Sequence, residues 1–508
     1  SCASSRWTSK QTSQTEWVYA HENKGGRHHD APLFCLLTVL MAEAGREGHG
    51  GYLVKQNEKD QNTLLSKLTN AYLAMLLGVY LIYPGLGGYQ SITAQKWQMY
   101  LVLTGAYIFL MALLSAELFI VGGKSLKLLR EGKESLGLPQ KLVLGYLAVT
   151  VISSLLSDHR SVAVWGSGRC EGLLTIALYC LSFLSVSIFA RPKQWMLWLF
   201  AAAVSVNCIL AMIQFTGCNP LRLYPEGMNY YDAYTRYSGE FLGTVGNVDI
   251  LSAVLSLSIP AFAAAIFRMK GRTRFLFFVP LALSLAVLAK AFVAGGILGV
   301  SGALLLSVPV LLDGKKPRRC AWLIVAGILL TAAVSVYFLG GRMGGFLYEA
   351  SELMHGRWSD DFGSGRLYIW RNVMELVPEH PLFGGGPDTL GLRTDAAFER
   401  YDETLGILIH STIDTAHNEY LNILINQGSF GLLTYVAILM ASAVRWLTLA
   451  RKNLTVAVCG CAVLSYCIQA FFGISSPIST PYLWMALALL NADDGQSYKM
   501  KEKLRRHL

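Results

Sequence analysis

"DTAHNEYLNILINQG" occupies Asp414–Gly428. Its first half is polar and carries a histidine. Its second half is apolar and leads into a hydrophobic run at 429–444. Runs of that kind decide the fold class. Stretches of roughly 20 apolar residues, the length of helix that crosses a bilayer, recur along the chain. They centre on 69–87, 99–121, 141–157, 172–190, 195–216, 248–267, 275–289, 291–312, 320–340, 429–444, 454–472 and 482–491. Composition agrees: 53% of residues are hydrophobic, 15% are charged and the mean hydropathy is +0.41, against about 25% charged in soluble domains. The expected fold is an all-α polytopic membrane protein with about 12 transmembrane helices.

The net charge of +10 does not read as nucleic-acid binding. Its basic residues sit in short clusters between apolar runs, without an interleaved aromatic patch on a soluble domain. Alternate connections hold Lys124, Lys127, Arg130 and Lys133; Arg191 and Lys193; Arg268, Lys270, Arg272 and Arg274; Lys315, Lys316, Arg318 and Arg319; and Arg445, Arg451 and Lys452. The tail "KMKEKLRRHL" completes the series. The bias of Lys and Arg toward cytoplasmic loops then places both termini in the cytoplasm. The opposite connections, Asp158–Glu171, Gly217–Asn247 and about 341–428, fall outside.

Residues 1–60 are polar and aperiodic except for "APLFCLLTVLMA" (31–42), which is too short to span. They read as a disordered or extraneous extension. The membrane domain is expected over 61–491 and a basic cytoplasmic tail over 492–508. The large loop at about 341–428 is long enough to carry its own short helices. In "RLYIWRNVMELV", Leu367, Trp370, Met374 and Val377 share a helical face, and the helix is expected to end before Pro378. "GGGP" (384–387) reads as a tight turn. The spans themselves are nearly free of ionisable residues.

Candidate chemistry gathers in the outside loops. Arg169 in "GSGRCEG", Arg236 in "TRYSGEF" and Arg366 in "GSGRLYIW" each stand beside glycines and aromatics. A guanidinium presents a planar fork of donors that matches phosphate oxygens. Three on one membrane face would clamp a diphosphate, although each alone also fits an ordinary solvated arginine. His417 titrates in the range needed for proton transfer near neutrality, but a structural histidine near a helix start fits the same sequence. Asp414, Asn418 and Glu419 favour a helix N-terminus there and are placed to orient the ring or touch substrate. His410 is a weaker competitor. Lys290, between two apolar runs, either snorkels to the surface or meets a phosphate. The ten cysteines show no metal-ligand spacing.

Taken together, "SGRLYIWRNVMELVPEHPLFGGGPDTL" and "DTAHNEYLNILINQGSFGLLTYV" resemble the signature of the O-antigen ligase and polymerase-like membrane proteins. "WGSGRCEGLLT" (165–175), "GTVGNVDILSA" (243–253) and "QAFFGISSPISTPYLWMALAL" (469–489) extend the likeness, with Asp249 where the family pattern has Asn. Many members carry Ser-Arg near the start of a mid-chain span, where this chain reads "LAKAFVAGGILG" with Lys290. The resemblance implies a glycosyltransferase C-like architecture. It implies transfer or polymerisation of glycan from an undecaprenyl-diphosphate-linked donor onto a glycan or lipid acceptor hydroxyl, inverting, with no nucleotide, metal or other cofactor. It casts His417 and Arg366 as catalytic, and Arg169, Arg236, Asp414, Asn418, Glu419 and Lys290 as substrate-binding. The competing readings are a transporter or flippase, which predicts ionisable residues deep in the spans, and a noncatalytic assembly protein.

Overall fold

The computed structural model describes residues 53–85, 87–88, 91–121, 136–223, 231–232, 235–236, 243–394, 397–402 and 407–492. The first helices are α1 (Leu53–Ala74, continued by a π-helical turn Met75–Tyr80), α2 (Ile92–Val121), α3 (Leu138–Leu156), α4 (Arg160–Trp165), α5 (Leu173–Phe189) and α6 (Gln194–Phe215). After the short hairpin β1 (Tyr231–Asp232) and β2 (Thr235–Arg236) come α7 (Val248–Arg268), α8 (Phe278–Ala291), α9 (Ala294–Leu311) and α10 (Lys315–Leu339). The segment between α10 and residue 419 holds α11 (Phe346–Met354), α12 (Arg366–Glu375), α13 (Leu390–Arg393) and a hairpin. That hairpin pairs β3 (Ala397–Asp402) antiparallel to β4 (Ile407–Thr412), with Ala397 opposite Thr412. The chain continues with α14 (Glu419–Leu449), α15 (Leu454–Gln469) and α16 (Thr480–Leu490).

Each apolar stretch read from the sequence falls on a helix. Among the described residues eight helices are long and apolar enough to cross a membrane: α2, α3, α6, α7, α8 with the 3₁₀ turn before it, α9, α10 and α14. The apolar helices α5, α15 and α16 are shorter, at 10–17 residues. Residues 1–52 and 493–508, which include most of the two expected terminal extensions, lie outside the described residues.

The packing of Lys59–Leu508 centres on α7, whose apolar window is 83% buried, whereas that of α10 is 11% buried. Lipid tails are as apolar as leucine, so helices in a bilayer associate through close packing of small side chains. α7 supplies Ser252, Ser256, Ser258 and several alanines to its neighbours, all buried. A Cβ on Gly296 of α9 would lie 1.9 Å from the Ser252 hydroxyl, so a larger residue there requires that hydroxyl to turn away. Asn247 caps α7 by accepting hydrogen bonds from the backbone of Asp249 and Ile250. Around α16, Trp484 stacks near Tyr146 and Tyr179 and meets Phe183 edge-on. One buried charge departs from the expectation of nearly uncharged spans: Lys96 is fully buried and donates to the carbonyls of Tyr80 and Leu81, each at 3.0 Å. It satisfies the orphan carbonyls where the first helix ends, at the end that favours a cation.

α14 is two helices joined across a break. Gly428 has φ 71° and ψ −174°, a conformation outside the helix. The break leaves backbone groups without helical partners, and segment 381–386 supplies them. Gly385 and Gly386 donate to the carbonyls of Ile425 and Asn426, at 3.1 and 2.9 Å. Ser429 and Phe430 donate in turn to the carbonyls of Pro381 and Leu382, at 2.9 and 3.1 Å. Non-helical backbone at membrane depth is stable only when protein satisfies it in this way. "PLFGGG" is therefore more than the turn read from sequence; it seals a broken helix. A Cβ on Gly428 would sit 2.2 Å from the Leu382 carbonyl carbon. Gly428→Ala is expected to cost about 1–3 kcal/mol from the left-handed backbone alone, with the backbone clash added. The check is the thermal midpoint of detergent-solubilised protein by tryptophan fluorescence; an unchanged midpoint would show that segment 381–386 can move aside freely.

Candidate functional site

The first section of α14 starts where the polar half of the opening stretch ends. Asn418 is its N-cap, with the side-chain oxygen accepting from the backbone N–H of Tyr420 and Leu421, both at 3.1 Å. His417, one residue earlier, is held at φ 49°. A non-glycine residue rarely adopts this left-handed conformation, and such strain concentrates at functional sites. Two separate elements grip the segment 414–417 and thereby set the position of the ring.

The first grip is α12. Trp370 Nε1 donates to the carbonyl of Ala416 at 2.9 Å. Arg366 lies four residues earlier, so it stands one turn away on the same face. Val373, rather than the expected Met374, is the buried residue of this helix; Met374 is 50% exposed. Val373 packs with Leu390, Ile413, Ala416 and Ile425. Arg366 is the first residue of α12, which follows the turn Gly363–Gly365. All three of those residues have positive φ. Arg366 Nη1 donates to the Gly363 carbonyl at 2.7 Å, while its Nε is buried without a hydrogen-bond partner among the described residues. A cation at a helix N-terminus opposes the macrodipole, so this corner favours an anion twice over.

The second grip is the turn 166–172. Arg169 makes a two-point contact with Asp414, Nε to Oδ2 at 2.8 Å and Nη2 to Oδ1 at 3.1 Å. The turn is held from below by Asp388, whose Oδ2 accepts from the backbone N–H of Ser167 and Glu171 at 2.6 and 3.2 Å. Asp388 is buried. Burial raises its carboxyl pKa while the two backbone donors pull it back. Glu171 is buried too and accepts from Tyr179 at 2.8 Å. Burial pushes its carboxyl well above the usual range.

Three sequence-selected residues thus act on one another, His417, Arg366 and Arg169, with Asp414 paired to Arg169. Burial holds the His417 imidazole down to about 4, and the charges of Arg366 and Arg169 push the same way. Asp414 opposes them. At neutral pH the ring is uncharged and able to accept a proton. The Arg169–Asp414 pair is partly exposed, at 31% and 45%, where an ion pair contributes at most about 1 kcal/mol. Exchange of Asp414 for another anion is correspondingly cheap.

The other selected residues divide. Glu419 turns away from this group: it is buried and accepts hydrogen bonds from Tyr435 and from Tyr466, the latter at 3.0 Å. Its role in the structure is to tie α14 to α15. Lys290 lies at the end of α8 with its ammonium 4.4 Å from the Phe215 ring centroid. No contact joins it to His417, Arg366 or Arg169 among the described residues. Arg236 falls in β2, where side chains lie outside the description, as does His410 in β4. Sequence reasoning passed over Asp388 and Arg393. Arg393 donates to Thr389, to the Ile425 carbonyl and to Asn426 Oδ1, at 3.0, 3.1 and 2.9 Å, beside the helix break. Burial lowers its pKa to about 10. "GGGPDTLGLR" gave the residue types but no periodicity to mark them as buried.

Residues 279–436 match the family model described as O-antigen ligase. This stretch is similar to the O-antigen ligase family. The matched region contains Arg366, Asp388, Asp414 and His417, together with both sides of the α14 break. The turn carrying Arg169 lies outside it. A comparison with curated proteins returns no match. The family supports a glycan-transfer role for the protein and a lipid-linked glycan and acceptor as its partners.

Asp388→Ala is expected to leave the Ser167 and Glu171 N–H groups without an acceptor, at about 1–3 kcal/mol, and to loosen Arg169. Faster amide hydrogen exchange across 167–171 with a lowered thermal midpoint is the expected result. Wild-type protection of those amides would show that Asp388 does not hold the turn.

Proposed function

We propose that this protein transfers or polymerises glycan from an undecaprenyl-diphosphate-linked donor onto an acceptor hydroxyl at the outer face of the bacterial cytoplasmic membrane. The observation that carries the reading is the convergence of two arginines on a neutral histidine at the mouth of α14. In this reading about twelve helices span the bilayer, as the Lys and Arg distribution favours, and the segment between α10 and α14 lies outside. The donor enters with its polyprenyl tail in the bilayer.

Arg366 binds the diphosphate through its uncommitted Nε. Arg169 joins it as the anion displaces Asp414, and the family resemblance assigns Arg236 to the same group. The guanidinium charges stabilise the negative charge that grows on the leaving diphosphate. His417 accepts the proton of the acceptor hydroxyl. That oxygen attacks the anomeric carbon on the face opposite the leaving group. The C–O bond to the diphosphate breaks, configuration inverts and undecaprenyl diphosphate departs. α12, fastened by Trp370, walls the site and restricts water, favouring transfer over hydrolysis. Asp414 and the uncommitted amide of Asn418 orient ring and acceptor.

A transporter would need ionisable groups lining a path through the spans. Lys96, Glu171 and Glu419 are buried, but each is tied to fixed carbonyl or tyrosine partners, which favours structural roles for them and the enzyme reading for the protein.

Purified protein in nanodiscs, given a lipid-linked oligosaccharide with and without a separate acceptor, tests the proposal through product size and released undecaprenyl diphosphate. A ladder from donor alone identifies a polymerase; a single addition requiring the second acceptor identifies a ligase. His417→Ala is expected to slow transfer by about 10²–10⁴-fold, and full activity would remove His417 from the chemistry. Arg366→Lys should weaken donor binding because an ammonium does not reproduce the guanidinium fork; unchanged donor affinity would refute the clamp. The basic form of His417 persists down to about pH 4 in the free protein. The acid limb of kcat/KM, which follows the free enzyme, should therefore lie near pH 4. A limb near the ordinary imidazole value of about 6.5 would show that neither burial nor the two arginines hold the ring neutral.

A further inference from the structure

A second charged site lies at the other end of the helices. The end of α9, the start of α10 and the end of α14 enclose a cavity of about 420 Å³. Lys315, Arg318, Arg319 and Arg451 line it, with Trp322 and Leu447 contributing the apolar wall. No carboxylate is among its lining residues. The nearby Asp313 is paired with Arg268 at 3.0 Å. Arg451 donates to the Val310 carbonyl at 3.3 Å, whereas Lys315, Arg318 and Arg319 make no ion pair among the described residues.

This arrangement is electrostatically unfavourable by itself. Lys315 is three and four residues from Arg318 and Arg319, so like charges share a helix face. They also crowd the N-terminus of a 25-residue helix, the end that attracts anions. Position sets the class of anion. Trp322 is 44% exposed one turn beyond Arg318, and Leu323 and Ile324 beside it are exposed at 74% and 56%. Charged fork, amphipathic indole and bare aliphatic surface follow one another along α10, in the order of lipid headgroup, interface and acyl chain. Four cations match two phosphates better than one.

The geometry points to a binding site for an anionic bilayer glycerophospholipid carrying two phosphodiesters, its headgroup among Lys315, Arg318, Arg319 and Arg451 and its chains along α10. The site is independent of the glycan-transfer chemistry.

Native mass spectrometry of the full chain in detergent, with diphosphatidylglycerol and phosphatidylcholine in competition, tests it. Wild type is expected to retain diphosphatidylglycerol selectively, and K315Q/R318Q/R319Q to bind it about tenfold or more weakly. R272Q/R274Q, which removes charge from another loop at the same end, should bind as wild type does. A brominated diphosphatidylglycerol gives a second readout: it should quench tryptophan fluorescence more in wild type than in Trp322→Phe. Equal retention of the two lipids, equal binding by the triple variant, equal loss in the control variant, equal quenching with Trp322→Phe, or displacement of the lipid by equimolar inorganic diphosphate would each overturn the assignment. The last would identify the occupant as a soluble polyanion.

Discussion

The break in α14 at Gly428 and the turn segment 381–386 that seals it form the constraint on which the rest of the site depends. An unbroken helix would satisfy its own backbone and leave 381–386 no place to bind. With the break, four backbone hydrogen bonds join the segment to α14. Ser153 of α3 adds a bond to the Asn426 carbonyl and Ser157 one to Gly385. The segment then carries Asp388 beneath the turn 166–172 and so determines where Arg169 stands. Cradle and helix are mutually dependent, since neither has its polar backbone satisfied without the other.

The same economy of contacts explains the histidine. Residues 414–417 are too short to be an element of their own. Trp370 fixes the Ala416 carbonyl from one side and Arg169 fixes Asp414 from another. His417 is left with a left-handed backbone and no side-chain hydrogen bond among the described residues. A ring held by its backbone, kept neutral by burial and by the charges of Arg366 and Arg169, is open to a new partner. Were it instead bound to a carboxylate, its proton affinity would rise and its accepting nitrogen would be less available.

Charge is divided between the two ends of the helices according to use. At the His417 end, a few arginines are oriented by buried or half-buried partners. At the other end, Arg268 and Arg451 close helix carbonyls, while the cations of α10 surround a cavity without a counter-charge. Lys96 shows a third use, completing a helix end within the apolar core.

The sequence by itself determined the helices, because an apolar run long enough to cross a bilayer has few other ways to satisfy its backbone. It also singled out Arg366 and His417, since a guanidinium after glycines and an imidazole at a polar helix start, both next to apolar runs, are expensive unless used. It could not tell inward from outward at Glu419, which lies two residues from His417 yet faces Tyr435 and Tyr466; that direction follows from helix phase and neighbouring side chains. It could not show that "GGGPD" is a seal and a support, because the hydrogen bonds involved run to residues 40 or more positions later and 217–228 positions earlier. Nor could it separate Lys290, over Phe215, from the arginines it was grouped with. Tertiary structure decided those points for one physical reason: a side chain's role is set by the partners that satisfy it, and here those partners come from distant segments.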